Sequence, residues 1–457
     1  MATRKRTPNP NLARLLDEAG WTRTQLAQQV NRLGPQAGLR LTYDRTAVAH
    51  WIAGTSPRPQ VRALIVEALS ARLGRPVTHA EAGLAPAART SPTGEPGSTG
   101  DSVEELIELG RATMDPSRRG VLAASVFSAA LTLPAFAAPA HAAPRPTATW
   151  RPGQRTVRIG ASQVWSVRTM TTRIADILDE LGAAHAMPMA SAFLVNTVGP
   201  WLKAQADEPV RKDMLAAAAD LAYLTGWMAM YEKAHGMGQQ YYVQALSLAR
   251  EAEDQVTYCR TLRGMSLQAS HLGHGRKALE LADSAAEAAP SAAPRLVAFL
   301  RGQQAHAAAM VGDRRQAHDR LREAENALSR ADDRREAVGG YDRTAWLFHM
   351  AHVLHEERDL QGSVRVLQQS IKHQPTQERQ GRAHAYAVLA GRQLALGHVD
   401  AACHSWGRFL DDYEHVSSAR ADDHFRTLRG VLRRHAGARP VAALAQRTGD
   451  IAALKAA

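Results

Sequence analysis

Residues 21–59 read WTRTQLAQQVNRLGPQAGLRLTYDRTAVAHWIAGTSPRP, and this stretch decides the fold of the N-terminal part of the chain. Apolar residues recur every three or four positions in two short segments, a spacing typical of amphipathic helices. Thr22 precedes the first segment and Asp44 (or Thr42) the second, and each can cap the helix that follows. The second segment ends in an aromatic-x-x-Gly-x-x-Pro pattern that begins at Trp51. We therefore predict helices over residues 23–33 and 45–53.

Two further helices are expected to complete a small bundle. Asn9 and Pro10 suit a helix start, because Asn caps helix N-termini and Pro is tolerated at the first helical position. We therefore predict a helix over residues 11–19. A fourth helix over residues 60–73 would add its apolar residues to the same core. The predicted core residues of the two central helices are Leu26, Ala27, Val48, Trp51 and Ile52.

The N-terminal fifth of the chain is strongly basic. Residues 1–90 hold 13 Lys and Arg against 5 Asp and Glu, so they carry +8 of the total formal net charge of +12. This concentration of positive charge favours a polyanionic partner, because neutralising phosphates releases counterions. A basic surface that is only solvated is the alternative.

These features together resemble the XRE/lambda-repressor-type helix-turn-helix family, over residues 9–84. The resemblance implies that this unit binds duplex DNA, with the start and exposed face of its third helix in the major groove. Its residue roles carry over to positions that match here. Arg45, Thr46, Ala47 and His50 would contact bases, and Arg23 and Arg58 would contact phosphates.

One feature of this region departs from the family pattern. The connection between the second and third helices, residues 34–43, is about ten residues longer than the family's tight turn. The angle between the two helices, and with it the assignment of base contacts, depends on how this loop folds. The alternative to a DNA-binding unit is a helical bundle that docks another protein.

Motifs for catalysis, metals and disulfides are not evident. Cys259 and Cys403 stand far apart without a CxxC spacing, which indicates neither a disulfide framework nor a zinc site and fits a reducing cytoplasm. His349, His352 and His355 recur every three residues, but no further ligand accompanies them. We expect a cytoplasmic protein that is not an enzyme and carries no cofactor or metal.

Residues 85–159 are predicted to link two domains. Residues 86–100 are rich in Pro, Gly, Ser and Thr, and residues 103–112 have helical spacing. Residues 117–146 carry no charge between Arg119 and Arg145. Three interpretations of this apolar segment stay open: an Ala-rich connector, a membrane span, and a segment similar to a twin-arginine export signal.

The remainder, residues 160–457, shows helical stretches with a period between the mid-thirties and about 40 residues, which predicts a helical solenoid. Its sequence resembles tetratricopeptide repeats, in which small residues stand where paired helices touch. We therefore predict an all-α chain: a helix-turn-helix bundle followed by a tetratricopeptide-like α-solenoid. The marks of the successive units are Gly226, Gly238; Ser266, Gly273, Ala278; Ala305, Gly312, Ala317; Ala351, Ser363; and Ala390, Gly397, Ala402.

Such arrays bind peptides or proteins in a concave groove or associate with each other. Candidate groove residues are polar positions on the first helix of each pair: Arg260, Arg263, Gln268, Arg301, Gln304, His349, Arg392 and Gln393. A solvated helix face is the alternative for each of them.

The whole chain is similar to a group of actinobacterial regulators that combine these two parts and are associated with control of sporulation and antibiotic production. The resemblance implies a DNA-binding transcriptional regulator, expected as a homodimer, whose repeats bind a peptide or protein or mediate oligomerisation. A scaffold for protein–protein interaction that does not bind DNA, with membrane tethering through residues 120–143 as one form, is the alternative. The operator, the effector and the direction of regulation do not follow from the sequence.

Overall fold

The structure is a computed structural model that describes residues 8–34, 39–73, 75, 77–79, 81–84, 102–115, 127–129, 131, 133, 136, 158–289, 292–331, 341–435 and 439–455. Within these ranges the chain is all-α and contains no β-strand, and from residue 208 onward its helices pack as consecutive antiparallel pairs. The helices are α1 (Pro10–Glu18), α2 (Arg23–Leu33), α3 (Arg45–Ile52), α4 (Pro59–Leu73), α5 (Ser102–Met114), α6 (Ala161–Leu181), α7 (Ala183–Phe193), a π-helix (Leu194–Val198), α8 (Gly199–Leu202), α9 (Glu208–Tyr231), α10 (His235–Glu251), α11 (Gln255–His271), α12 (Gly275–Glu287), α13 (Pro294–Met310), α14 (Arg314–Leu328), α15 (Arg343–Glu356), α16 (Leu360–His373), α17 (Arg379–Ala395), α18 (Val399–Tyr413), α19 (Ala419–Arg434) and α20 (Arg439–Leu454).

Helices α1 to α4 form a bundle with its own core. The predicted caps are present: the Asn9 side chain accepts from the Leu12 amide at 3.1 Å, and Thr22 and Gln25 form a capping box at the start of α2. Of the predicted core residues, Ile52 alone is partly exposed, because it stands in the last turn of α3. The other four, Leu26, Ala27, Val48 and Trp51, are buried.

The helix pairs that follow share one register. In each pair a small residue of the first helix lies twelve positions before a small residue of the second, and seven positions before a turn residue with positive φ. Small side chains allow the two helices to cross closely. The successive sets are Gly226, Lys233, Gly238; Ser266, Gly273, Ala278; Ala305, Gly312, Ala317; Ala351, Arg358, Ser363; and Ala390, Gly397, Ala402.

Two hydrogen bonds mark the same crossing. The Ser266 hydroxyl donates to the Ala278 carbonyl, and the Ser363 hydroxyl donates to the Ala351 carbonyl, both at 2.7 Å. Each bond joins the two small positions of one pair, and in both pairs it satisfies a buried hydroxyl. The periodic small residues in the sequence are therefore the contact points of α11 with α12 and of α15 with α16.

Part of the region between the bundle and the array packs on the array. Helix α5 buries Val103, Leu106 and Ile107 in the core formed by the first helices of the array. Phe127 is fully buried in the same core. Of the apolar segment 117–146, residues 127–129, 131, 133 and 136 are described. The Pro- and Ser-rich stretch 86–100 lies outside the described residues. No described helix is both long and apolar enough to cross a membrane.

The C-terminal part of the array contacts its first helices. The Ser417 amide donates to the Leu181 carbonyl at 2.9 Å, and the Ala184 amide donates to the Ser417 carbonyl at 3.0 Å. Gly182 lies at this junction with a φ of 95°, and a Cβ atom there would stand 2.4 Å from the Ser417 carbonyl oxygen. Lys233, in the turn after α9, pairs with Asp423 of α19. The concave side of the array is thus a partly open interior.

Candidate nucleic-acid interface

Helix α3 begins at a carboxylate cap. The Asp44 Oδ1 atom accepts the amides of Thr46 and Ala47, both at 3.0 Å, and these bonds hold the pKa of Asp44 below its usual value. Because Asp44 occupies these two amides, the N-terminus of α3 cannot also offer them to a phosphate. Phosphate contacts at this end of the bundle therefore fall to side chains.

The end of the long connection between α2 and α3 is held in place by hydrogen bonds and a ring contact. The Asn31 side chain of α2 donates to the Tyr43 carbonyl and accepts the Tyr43 amide, both at 2.8 Å. The Tyr43 ring meets the Trp51 ring edge-on, with centroids 5.0 Å apart. Residues 35–38 of the loop are outside the described residues. The two Asn31 bonds and the ring contact fix the start of α3 against α2, so the extra loop length does not leave α3 unsupported.

The base-contact candidates divide into exposed and half-buried positions. Arg45, Thr46 and His50 are exposed on α3. Ala47 is half-buried because it stands four residues before the buried Trp51, and residues four apart share one face of a helix. Three of the four candidates can therefore reach a ligand directly, and Ala47 lies at the edge of the packed face.

The arginines of the bundle fall into three groups. Arg14 and Arg75 form ion pairs with Glu18 and Glu81, at N–O distances between 2.8 and 3.8 Å. The half-buried Arg62 donates to the Pro57 carbonyl and the Ser56 hydroxyl. The third group is exposed, and the described part of the chain gives its members no ion-pair partner. It comprises Arg23, Arg32, Arg40, Arg45, Arg58 and Arg72. The uncompensated positive charge thus includes both predicted phosphate contacts and the predicted base-contact arginine.

The groove candidates of the array lie in three environments. Arg263, His349 and Arg392 line the interior of the array. Arg260 and Arg301 form ion pairs with Asp220 and Glu323. The remaining three, Gln268, Gln304 and Gln393, are buried between helices and hydrogen-bonded there to His235, Asp283 and Ser405.

The alternative for these positions was a helix face exposed to solvent. This alternative does not hold for the groove candidates that are buried. A polar side chain can be buried when its hydrogen bonds are satisfied nearby, and for the glutamines neighbouring helices supply those bonds. The interior also contains His352, which the sequence had marked only as part of a histidine series, and four residues that it did not single out, namely His271, His306, His384 and Arg420. His306 and His352 share a register, because each directly follows the small residue of its first helix, Ala305 or Ala351, whereas the other three stand at different positions.

The histidines of α15 do not form a metal centre. His349 and His352 face the interior, and His355 is exposed at its edge. Within the described residues, no group of three His, Cys, Asp or Glu side chains is placed to hold a metal ion.

Comparison with known proteins gives one partial match. Residues 12–85 match the family model of the SP15 N-terminal domain. No curated protein matches the chain. The matched residues begin at Leu12, a core residue of α1, and end one residue after Leu84, the last core residue of the bundle. The similarity therefore covers the α1–α4 bundle and the arginines described above.

Proposed function

We propose that the protein is a DNA-binding transcriptional regulator whose α1–α4 bundle contacts duplex DNA through α3. The observation that carries the proposal is the set of exposed arginines without acidic partners around a firmly capped helix. Arg45 would pair with guanine, Thr46 and His50 would contact neighbouring base edges, and Arg23 and Arg58 would bind phosphates. Ala47 would add a methyl contact at the edge of this surface.

The helical array would serve as the partner-binding or self-associating part. A single small DNA-binding unit binds weakly. We therefore propose a cytoplasmic homodimer whose two DNA-binding units contact the two half-sites of a palindromic operator. A peptide or protein bound to the array, or oligomerisation through it, would change how the two DNA-binding units are spaced.

A short segment provides a physical connection for such coupling. Gln239 of α10 exchanges two hydrogen bonds with the backbone of Ser128, both at 2.8 Å. The next residue, Ala129, donates its amide to Glu67 of α4 at 2.9 Å. Phe127 stacks on His274 of the array, with centroids 5.6 Å apart. Residues 127–129 therefore touch the bundle on one side and the array on the other.

The test is enrichment of genomic DNA fragments by the purified full-length protein, followed by sequencing. We expect discrete sites, and we expect Arg45→Ala to weaken binding to them by about 1–3 kcal/mol. Arg14→Ala is the matched control, since Arg14 is an exposed arginine of the same bundle that is already paired with Glu18. It should keep the affinity of the unmodified protein.

A phosphate contact has a different signature. Arg23→Ala should weaken binding to all sequences alike and reduce the slope of log affinity against log salt concentration by about 1. Absence of any salt-dependent DNA binding would contradict the proposal and favour the scaffold that binds proteins only.

A further inference from the structure

The interior of the array holds two adjoining cavities of about 400 and 230 Å³. They share His271, His306 and His352 as lining residues. The smaller cavity is also lined by the aromatic side chains of Trp227, Tyr231 and Phe348. Its volume lies below the range of about 300–1,000 Å³ that is usual for ligand pockets, so it suits a small molecule better than a length of peptide.

Arg263 is a buried cation for which the described residues supply no acidic partner. It is 6% exposed, and its guanidinium lies over the Phe299 ring at 4.1 Å and over the Trp227 ring at 5.8 Å from the centroids. Its Nη2 atom stands 3.4 Å from His349 Nε2, and its Nε atom has no hydrogen-bond partner. The described residues place no carboxylate within ion-pair distance of it. A buried charge in this condition is costly unless something compensates it.

Two further arginines reach the same interior. Arg420 Nη2 lies 2.9 Å from His271 Nδ1, and its guanidinium covers the Tyr231 ring at 4.8 Å. Arg392 contacts His352 Nδ1 at 3.3 Å and the Ala351 carbonyl at 3.3 Å. Their side-chain hydrogen-bond partners in the described structure are thus histidines rather than acids.

Three acids line the cavities, and the charge of one of them, Glu356, acts against the burial that lowers the pKa of Arg392. Asp342 lines the smaller cavity, where its carboxylate caps α15 by accepting the Ala345 amide at 2.9 Å. Glu378 lines the same cavity and Glu356 the larger one. None of the three forms a described ion pair with Arg263, Arg392 or Arg420.

The buried histidines add hydrogen-bonding capacity without adding charge. Burial, with the charge of Arg392 as a lesser cause, lowers the pKa of His306 to about 4, and burial beside Arg263 lowers the pKa of His349 well below its usual value. At neutral pH both rings are uncharged, so each has one N–H donor and one acceptor nitrogen. His349 accepts from Arg263 at Nε2 and therefore carries its proton on Nδ1, beside the Tyr341 hydroxyl, which leaves His306 as the ring that can donate to a ligand.

We propose that the smaller cavity binds a small organic acid, with its carboxylate on Arg263 and Arg420 and a flat apolar body against Trp227, Tyr231 and Phe348. A guanidinium pairs with a carboxylate through two parallel hydrogen bonds, and this would supply the compensating charge that Arg263 lacks. The aromatic side chains that line the cavity would pack against the apolar body of the ligand. The inference concerns the array alone and stands whether or not the bundle binds DNA.

The experiment measures ligand binding to the purified full-length protein by titration calorimetry. The probes are benzoate and indole-3-acetate, with benzamide as the neutral counterpart of benzoate and inorganic phosphate as an anion without an apolar body. We expect at least one of the two acids to bind with a Kd below about 100 µM and at least ten-fold tighter than benzamide or phosphate. We expect Arg263→Gln to lower that affinity at least ten-fold. Arg322→Gln, at an exposed arginine of α14 that pairs with Asp319 and does not line the cavities, should leave it unchanged.

Arg420→Gln gives a second test if Arg263→Gln does not fold, and histidine ring NMR gives a third on the unmodified protein. There the bound acid should shift the His349 signals, and benzamide should not. The proposal is overturned if neither acid binds with a Kd below about 100 µM, if phosphate or benzamide binds within ten-fold of the tighter acid, or if a folded Arg263→Gln or Arg420→Gln variant retains full affinity. Binding of an acidic peptide in place of both acids would also overturn it and assign the interior to a peptide.

Discussion

Glu67 shows how one buried carboxyl group ties the α1–α4 bundle to the rest of the chain. Its side chain is 5% exposed on α4 and accepts the Ala129 amide at 2.9 Å. Burial raises the pKa of Glu67 to about 7, although the Ala129 and Ser128 hydrogen bonds act in the opposite direction. The carboxyl group is therefore close to half ionised at neutral pH, and its charge disfavours the folded state.

The first prediction concerns Glu67→Gln. Because the folded pKa lies above the unfolded value, the stability that this group contributes is fully present below about pH 4.5 and is lost as the pH rises through 7. An amide can accept the same hydrogen bond and does not ionise. At pH 8 we expect Glu67→Gln to be more stable than the unmodified protein by about 3 kcal/mol, while at pH 4.5 the two should be similar.

Thermal unfolding midpoints at the two pH values measure this difference. Glu180→Gln, at an exposed carboxylate of α6, serves as the control and should show no such dependence. An identical gap between Glu67→Gln and the unmodified protein at both pH values would contradict the role given to burial.

At the scale of elements, α9 and α10 cross closely at Gly226 and Gly238. A Cβ atom on Gly226 would stand 3.0 Å from the Gly238 carbonyl oxygen and 2.9 Å from the Tyr242 ring. The obstacle includes main chain, which cannot rotate away as a flexible side chain can. Glycine is required here because the two backbones touch.

The second prediction compares two glycines inside helices. Gly226→Ala should destabilise the protein by about 1–3 kcal/mol, the usual cost of overpacking. Gly430→Ala is the matched change in α19, where a Cβ atom would meet nothing within 4 Å. It should stabilise by up to about 1 kcal/mol, because alanine loses less backbone entropy in a helix. Urea unfolding of both variants measures these changes in the free energy of unfolding. Equal effects of the two substitutions would contradict a close contact between α9 and α10 at Gly226.

Element positions could be predicted well because their signals are local. Asn9, Thr22 and Asp44 precede their helices as caps, and the small residues twelve positions apart mark the crossings. Two irregular features were not predicted. They are Pro188 inside α7 and the π-helix Leu194–Val198, and both lie in a region whose sequence shows no clear repeat. Sequence periodicity describes regular contacts, so irregular packing leaves no periodic trace.

The assignments at the candidate sites depended on information that local pattern lacks. Gln268 was a groove candidate as a polar residue on a first helix, yet its side chain donates to the buried His235 carbonyl at 2.7 Å. Ala47 was a base-contact candidate, yet it stands at the edge of the packed face of α3. Whether a polar position faces a groove or a neighbouring helix depends on the curvature of the array, which is a property of the whole fold.

At the scale of the molecule, that curvature is set by contacts between distant residues. Ser417 meets Leu181, and Arg420 meets His271, across 236 and 149 positions of the chain. No repeat unit by itself encodes this closure. Closing the array gathers histidines from separate repeats into one interior, where the His306 and His352 rings lie 4.8 Å apart. The response of the protein to acid should therefore depend on that interior.

The last prediction is loss of stability in mild acid through these histidines. His306 is 5% exposed, and its folded pKa of about 4 lies below the ordinary value of 6.5. Its contribution to stability is thus fully present above pH 6.5 and is lost as the pH falls toward 4, by about 1.4 kcal/mol per pH unit. His306→Gln should flatten the fall of the thermal midpoint between pH 6.5 and 4.5, whereas His373→Gln, at an exposed position of α16, should leave it unchanged. If both variants follow the unmodified protein, the acid response arises outside the interior of the array.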